Sequence, residues 1–205
     1  MLIFIVLSLV NPGIVRVRYS GGDWYNDPDI ISNLAKEINK RTKLKVPEQE
    51  KILSLDDPEI YFYPFLFITG HGKIKLSKEE QENLRKYLWN GGFVYADDDY
   101  GMDEHFRREV KEIFPKHKLL LLPANHEIYS IFYKLPEGLP KIHEHYKGSP
   151  EGYGLFLDER LSLFYTYNSN ISDGWASPSV HNDPQYLREK AFQMGVNMYI
   201  YALTH

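Results

Sequence analysis

Apolar positions along the chain follow two periods in turn, and their order predicts a layered α/β domain. Val15, Val17 and Tyr19 interleave with Ile14, Arg16 and Arg18, the two-residue period of a strand. A turn-rich stretch from Ser20 to Asp27 follows. Asp27 reads as a helix N-cap with Pro28 at the first helical position, and Ile30, Ile31, Leu34 and Ile38 then repeat at helical spacing to Arg41. Ile52 to Leu55 is a short strand, and Asp56-Asp57-Pro58 opens a helical turn or loop. Phe65 to Ile68 is a fully buried strand that stops at Thr69-Gly70-His71-Gly72. Ser77 and Glu80 form a capping box ahead of a helix with Leu84, Tyr87 and Leu88 on one face, ended by Asn90-Gly91-Gly92.

The alternation continues. Phe93 to Ala96 is the next buried strand, ending in Asp97-Asp98-Asp99-Tyr100-Gly101, and Phe106, Val110 and Ile113 mark a helix stopped by Pro115. Leu119 to Leu122 is a strand, after which the periods fade between Pro123 and Gly152. Tyr153–Leu157 and Leu161–Tyr167 form a late β-hairpin across an Asp158-Glu159-Arg160 turn. A polar segment over 168–183 leads into a last helix, with Pro184 at its start and Leu187, Ala191, Met194 and Met198 on one face. Strands alternating with helices imply crossover connections, hence a doubly wound, mostly parallel sheet with helices on both faces. Residues 14–205 read as one such domain, without a repeat or dividing linker.

In such a sheet the loops after the carboxyl ends of the parallel strands gather on one edge, where ligands bind. The loops expected there are SGGDWYND, TGHG, DDDYG and the segment of Asn125-His126. Those of the opposite edge, WNGG and RTKLK, are plain helix-to-strand connections. Turn requirements alone would not concentrate Asp, His, Trp and paired Gly on one side. His71, Asp98, His126 and His143 are therefore expected in a shared cleft.

Composition narrows the chemistry. There are 24 basic and 28 acidic side chains, a net charge of −4, and neither sign dominates. A sequence-independent grip on DNA or RNA needs clustered Lys and Arg, so this balance argues against nucleic acid. Cysteine is absent, which excludes disulfides, thiolate nucleophiles and Cys-based metal sites. The 16 tyrosines fit either a Tyr-rich core or a Tyr-lined groove.

His143-Glu144-His145 puts two imidazoles on one side of an extended segment, a spacing suited to a divalent metal, with Asp98 as the carboxylate beside them. Asp97 and Asp99 could supply carboxylates to the same metal, and His71, His126 and His181 are further candidates. The plainer reading is that aspartates after a strand cap the next helix and loop histidines satisfy backbone groups. Asp23, Trp24, Asn168, Asp173 and Trp175 form a polar, aromatic set for a small ligand, the rings stacking on a sugar and the carboxylates accepting from hydroxyls. The alternative places both Trp rings at the ends of the core. NSNISDGW reads as a lid over that edge. No Walker loop, dinucleotide fingerprint, GxSxG elbow or HExxH occurs, so no serine nucleophile is nominated.

Met1 to Val10 (MLIFIVLSLV) is too short to span a bilayer as a helix. Its length fits an export signal or membrane anchor, although no Lys or Arg precedes it and Asn11-Pro12-Gly13 is not a cleavage site; the other reading is a buried first element.

Taken in order, RVRYSGGDWYNDP, FLFITGHG, NGGFVYADDDYGMDEHFR, LPKIHEH and TYNSNISDGW resemble the bacterial domain-of-unknown-function family 4159, from Val15 to Leu203. The resemblance implies a class I glutamine amidotransferase-like (flavodoxin-like) α/β sandwich and an exported or membrane-associated protein. Gly91-Gly92-Phe93-Val94 and Asn125-His126-Glu127-Ile128 are similar, over those short stretches, to the trehalose-utilisation-like branch of that superfamily, which implies carbohydrate ligands. True amidotransferases need a cysteine nucleophile, so glutamine hydrolysis by that route is excluded.

Three functional readings follow. The first is a ligand-binding domain with a polar, aromatic cleft at the carboxyl edge of the sheet. The second is a metal-assisted or acid–base hydrolase of a carbohydrate-like molecule. There, Asp97 to Asp99 with His143 and His145 hold or activate water, and His126 or His71 transfers the proton. The third is a non-catalytic scaffold of the cell envelope.

Overall fold

Strand β1 (Ile14–Arg18) is buried on both faces, and that places it inside the sheet rather than at its edge. Ile14 joins one core layer while Val15 and Val17 join the other, as the alternation of a strand requires. The computed structural model describes residues 11–205, so the expectation of a signal or anchor over Met1 to Val10 lies outside the described residues. After β1 come β2 (Ser20–Gly22), α1 (Ile30–Arg41), β3 (Lys51–Ser54), β4 (Phe65–Lys75), α2 (Lys78–Trp89), β5 (Phe93–Tyr100) and α3 (Asp103–Ile113). The chain ends with β6 (Leu120–Leu121), β7 (Glu151–Leu157), β8 (Arg160–Tyr167), the single turn α4 (Pro178–His181) and α5 (Gln185–Thr204).

The strands lie in the order β3-β1-β4-β5-β8-β7-β6. The first five are mutually parallel; β7 pairs antiparallel with β8, and β6 antiparallel with β7. Numbered among themselves, the five parallel strands read 2-1-3-4-5 across the sheet, so the winding reverses between β1 and β4, where a carboxyl-edge crevice is expected. Helices α1 and α5 cover one face over Phe65, Phe67, Phe93 and Tyr95, and α2 and α3 cover the other over Leu66, Val94 and Leu163. The domain is thus α/β with a mostly parallel, mixed sheet. Among the described residues no helix is long and apolar enough to cross a membrane.

Local chemistry explains most element boundaries. The capping box of α2 is formed, with Ser77 N–H donating to Glu80 Oε2 at 2.7 Å and Glu80 N–H to Ser77 Oγ at 3.2 Å. Two strands run past their apolar cores. β4 continues to Lys75 because β2 folds back on it antiparallel, pairing Ser20 with Lys75 and Gly22 with Gly72. At Gly70 the backbone has φ of 145°, and a Cβ there would run into the Tyr19 hydroxyl.

The start of α1 differs from the expected one. Asp27 is not the cap: its φ is 45°, in the left-handed region, and the helix opens at Ile30 after Asp29. The Asp29 carboxylate makes no cap bond of its own and instead accepts from Ser177 N–H and Oγ–H. Asp27 is thereby left free to face the sheet edge.

Candidate functional site

The loop after β1 is held by a buried cation. Arg16, 1% exposed, ion-pairs with Glu50 and donates to the carbonyls of Trp24 (3.1 Å), Asn26 (2.7 Å) and Asp27 (3.0 Å). Three carbonyls on one guanidinium curl residues 24–27 over the strand end. That fold aims Asn26 at Asp99, whose carboxylate accepts from Asn26 Nδ2. It also aims Asp27 at His181, with Oδ2 to Nε2 of 2.8 Å.

β4 delivers His71. Its Nδ1 lies 2.8 Å from Asp23 Oδ2 and its Nε2 3.2 Å from Asp99 Oδ2. Burial pushes the Asp23 carboxyl up, but hydrogen bonds from the His71 backbone and ring outweigh it and hold Asp23 below the ordinary range.

The three aspartates ending β5 separate. Asp97 shares its face with Phe93 and Tyr95, where it accepts from Ser172 N–H (2.7 Å), Ser172 Oγ–H (2.8 Å) and Thr166 Oγ–H. It ties β5 to β8 and to the 168–175 loop, and burial pushes it up to about 6. Asp98 turns to the opposite face, where Oδ1 accepts from Met102 N–H at 2.7 Å at the start of α3. Its Oδ2 is buried without a partner, and burial pushes this carboxyl up to about 7. Gly70 pairs with Asp98 but His71 with Tyr100, so Asp99 is the extra residue of a bulge. Bulges re-aim side chains, and this one carries Asp99 into the crevice beside His71 and Asn26.

Asp173 opens the turn Asp173–Trp175 in the loop after β8. Its Oδ2 accepts a long bond from Asn170 at 3.4 Å, while its Oδ1 is buried with no hydrogen-bond partner and lies 3.9 Å from His181 Nε2. His145 Nε2 lies 3.9 Å from Asp99 Oδ1, and its ring is 4.9 Å from that of His143, whose Nδ1 is 3.2 Å from Asp183. Donor atoms of Asp99, His145 and Asp173 all fall within 4.8 Å of one another, and so do those of Asp27, Asp173 and His181. Among the described residues no Lys or Arg ion-pairs with Asp23, Asp27, Asp99, Asp173 or Asp183; their partners are imidazoles. Burial and the neighbouring Asp99 push the Asp173 carboxyl up, the Asp27 carboxylate raises His181, and burial together with His143 lowers His145.

The crevice brings together His71, Asp99, His143, His145 and Asp173 with Asp23, so of the four residues expected to share a cleft His71 and His143 lie in it. Asp98 is not among the neighbours of His143 and His145, because strand alternation sends it to the other face. His126 is not at this edge either. Its ring packs against Phe156 and Tyr201 near the amino end of β5, where Tyr201 also meets Phe93. Trp175 fills the core: it is fully buried against Phe67 and Tyr95, and its indole N–H donates to the Ala191 carbonyl at 2.9 Å. Trp24 packs edge-on to Tyr25, and Asn168 donates to the carbonyls of Gly148 and Ser149, steadying the segment that follows the two histidines.

Sequence reasoning missed Asp27 as a site residue, having assigned it to a cap, and missed Asn26 and Asn170. The signal for Asn26 and Asp27 was their place in the loop after β1. A cavity of 740 Å³ lies elsewhere, lined by Leu121, Leu135, Pro136, Pro150 and Lys190; it shares Lys141 with the segment carrying His143.

A family model described as a domain of unknown function (DUF4159) matches residues 13–203. No curated protein matches the chain.

Proposed function

The chain belongs to the DUF4159 family, and from the geometry of its crevice we propose that it is a divalent-metal-dependent hydrolase. The carrying observation is the Asp173 Oδ1 atom, buried without a hydrogen bond and 3.9 Å from His181 Nε2, in a cluster of carboxyls that no Lys or Arg among the described residues ion-pairs. A buried carboxyl oxygen left without a partner costs about 1–3 kcal/mol, and a bound cation removes that cost. Asp99, His145 and Asp173 offer one oxygen or nitrogen each, which leaves coordination positions for water and substrate.

A bound ion lowers the pKa of its water towards neutrality and polarises the bond under attack. In this reading His71 positions Asp99: Asp23 orients its Nδ1, its Nε2 faces the Asp99 carboxylate, and the ring is half exposed. His126 has no part in it. The substrate we assign is a carbohydrate-like molecule. Tyr100, 47% exposed, stacks on Tyr146 at 5.3 Å and lies 4.9 Å from the His145 ring, so it offers the aromatic face that buried Trp175 cannot. The class I glutamine amidotransferase-like assignment belongs to the same proposal, supported by the 2-1-3-4-5 order of the parallel strands.

The test is metal analysis of protein purified without chelator, followed by thermal shift with Mn²⁺ or Zn²⁺ and a screen of p-nitrophenyl glycosides and acetylated sugars. Bound metal, a raised Tm and metal-dependent turnover are expected. Metal below about a tenth of an equivalent with no thermal shift overturns the reading. Metal without turnover of the panel overturns the hydrolase and leaves a metal-held binding site.

A further inference from the structure

Asp173 belongs to both donor sets, Asp99–His145–Asp173 and Asp27–Asp173–His181. We infer that the crevice holds two divalent cations, one in each set, with the Asp173 carboxylate bridging them. This rests on the metal-dependent reading above and adds to it a second ion and its ligands.

Each set is assembled from distant segments. The first joins the bulge of β5, the segment before β7 and the turn after β8; the second joins the loop after β1, the same turn and α4. Asp173 is the common point, with Oδ1 carrying no hydrogen bond and Oδ2 only the long one from Asn170. A carboxylate with both oxygens this weakly engaged, in a residue 2% exposed, has the bonding capacity a bridge needs. Paired ions in hydrolytic sites sit about 3.5–4 Å apart, a span one carboxylate covers.

Charge points the same way. As ligands, Asp27, Asp99 and Asp173 would balance three of the four charges of two divalent ions, while Asp23 and Asp183 stand behind them on His71 and His143. With a single ion the same three carboxylates would leave the buried crevice negative. Mixed carboxylate and imidazole donors without thiolate select Mn²⁺, Fe²⁺ or Zn²⁺ over Ca²⁺ or Mg²⁺, which favour all-oxygen shells. Behind the ligands, Asn26 and His71 contact Asp99 and Asn170 contacts both Asp99 and Asp173, the arrangement that orients metal ligands.

The experiment loads the intact protein with Mn²⁺, removes loose ion and measures bound metal and its electron paramagnetic resonance spectrum. Two equivalents per chain with an exchange-coupled signal are expected. Asp27→Asn and His181→Ala should each retain one equivalent and lose the coupling, and Asp99→Asn and His145→Ala should do the same from the other side. Asp173→Ala should lose most of both, with circular dichroism reporting that the fold persists. One equivalent in the wild type, unchanged by Asp27→Asn, overturns the pair but leaves the metal-dependent reading standing. Two uncoupled ions overturn the bridge, and no bound metal overturns both proposals.

Discussion

Asn170 Nδ2 donates to the Asp99 carbonyl at 2.8 Å and to the Asp99 carboxylate at 3.2 Å, clamping the loop after β8 onto the end of β5. The same nitrogen reaches Asp173 Oδ2 at 3.4 Å, so one buried amide sets the spacing between two proposed metal ligands. Asn170→Ala should weaken Mn²⁺ binding by about 10–100-fold, the usual effect of removing a group that orients ligands. Isothermal titration of wild type and variant measures this; equal affinities would show that the clamp does not position the ligands.

Arg16 makes a second, more distant prediction. Arg16→Met leaves Glu50 and three carbonyls of the 24–27 loop without their donor, and truncating one side of a buried pair costs about 3–5 kcal/mol. Urea unfolding should register that loss. Arg16→Lys should recover little of it, because a single ammonium cannot reach one carboxylate and three carbonyls in that fan. Recovery by Lys would mean that charge alone, not the fork, organises the loop.

Gly174 lies where α5 crosses the Asp173–Trp175 turn, and a Cβ there would meet Cβ of Ala191 and the Ile142 side chain. Ala191 has no flexible end to move aside. Gly174→Ala should destabilise the protein by about 1–3 kcal/mol and loosen metal binding together, as Asp173 moves with its turn. An unchanged Tm would show that the helix shifts without strain.

Metal itself should stabilise. At a free concentration near 100 times Kd a ligand adds about 2.7 kcal/mol, and for a chain of this length each kcal/mol raises Tm by about 2–4 °C. Differential scanning calorimetry with Mn²⁺ and then excess chelator should show a reversible rise of about 5–10 °C. An identical Tm in both conditions would contradict specific binding.

Acid sensitivity should arise partly away from the crevice. His126 Nδ1 accepts from Ile128 N–H at 3.2 Å, a bond that needs the neutral ring, and burial lowers this imidazole below its ordinary 6.5; Glu127 opposes the shift and His205 adds to it. A lowered folded-state value means the unfolded chain binds more protons, so stability is lost as pH falls below 6.5 towards the folded value. His126→Gln should flatten the stability profile between about pH 7 and 5 relative to wild type. Parallel profiles would assign the acid sensitivity to other groups.

How far the sequence was readable depends on whether local or distant contacts decide. Strands such as β1 and β4 and the capping box of α2 were legible, because alternation and Ser77–Glu80 act within a few residues. That the loops after β1, β4 and β5 share an edge was legible from the common direction of parallel strands. The bulge at Asp99 was not, since it depends on how β5 pairs with β4, and without it the facing of Asp98 and Asp99 could not be told. Asp27 resembles a cap in every local respect; Arg16, eleven residues earlier, holds the backbone that makes it something else. His126 follows a strand, yet the chain after β6 runs along the sheet to its amino edge, a path no period encodes.

The skipped pairing at Asp99 makes the run Asp97-Asp98-Asp99 three unlike residues despite their identical letters. One braces neighbouring strands, the next steadies the start of a helix, and the last looks into the crevice. Deleting Asp97 or Asp98 would shift the survivors into each other's posts rather than thin the acidic stretch, so a shortened run that still looked acidic would be a different surface.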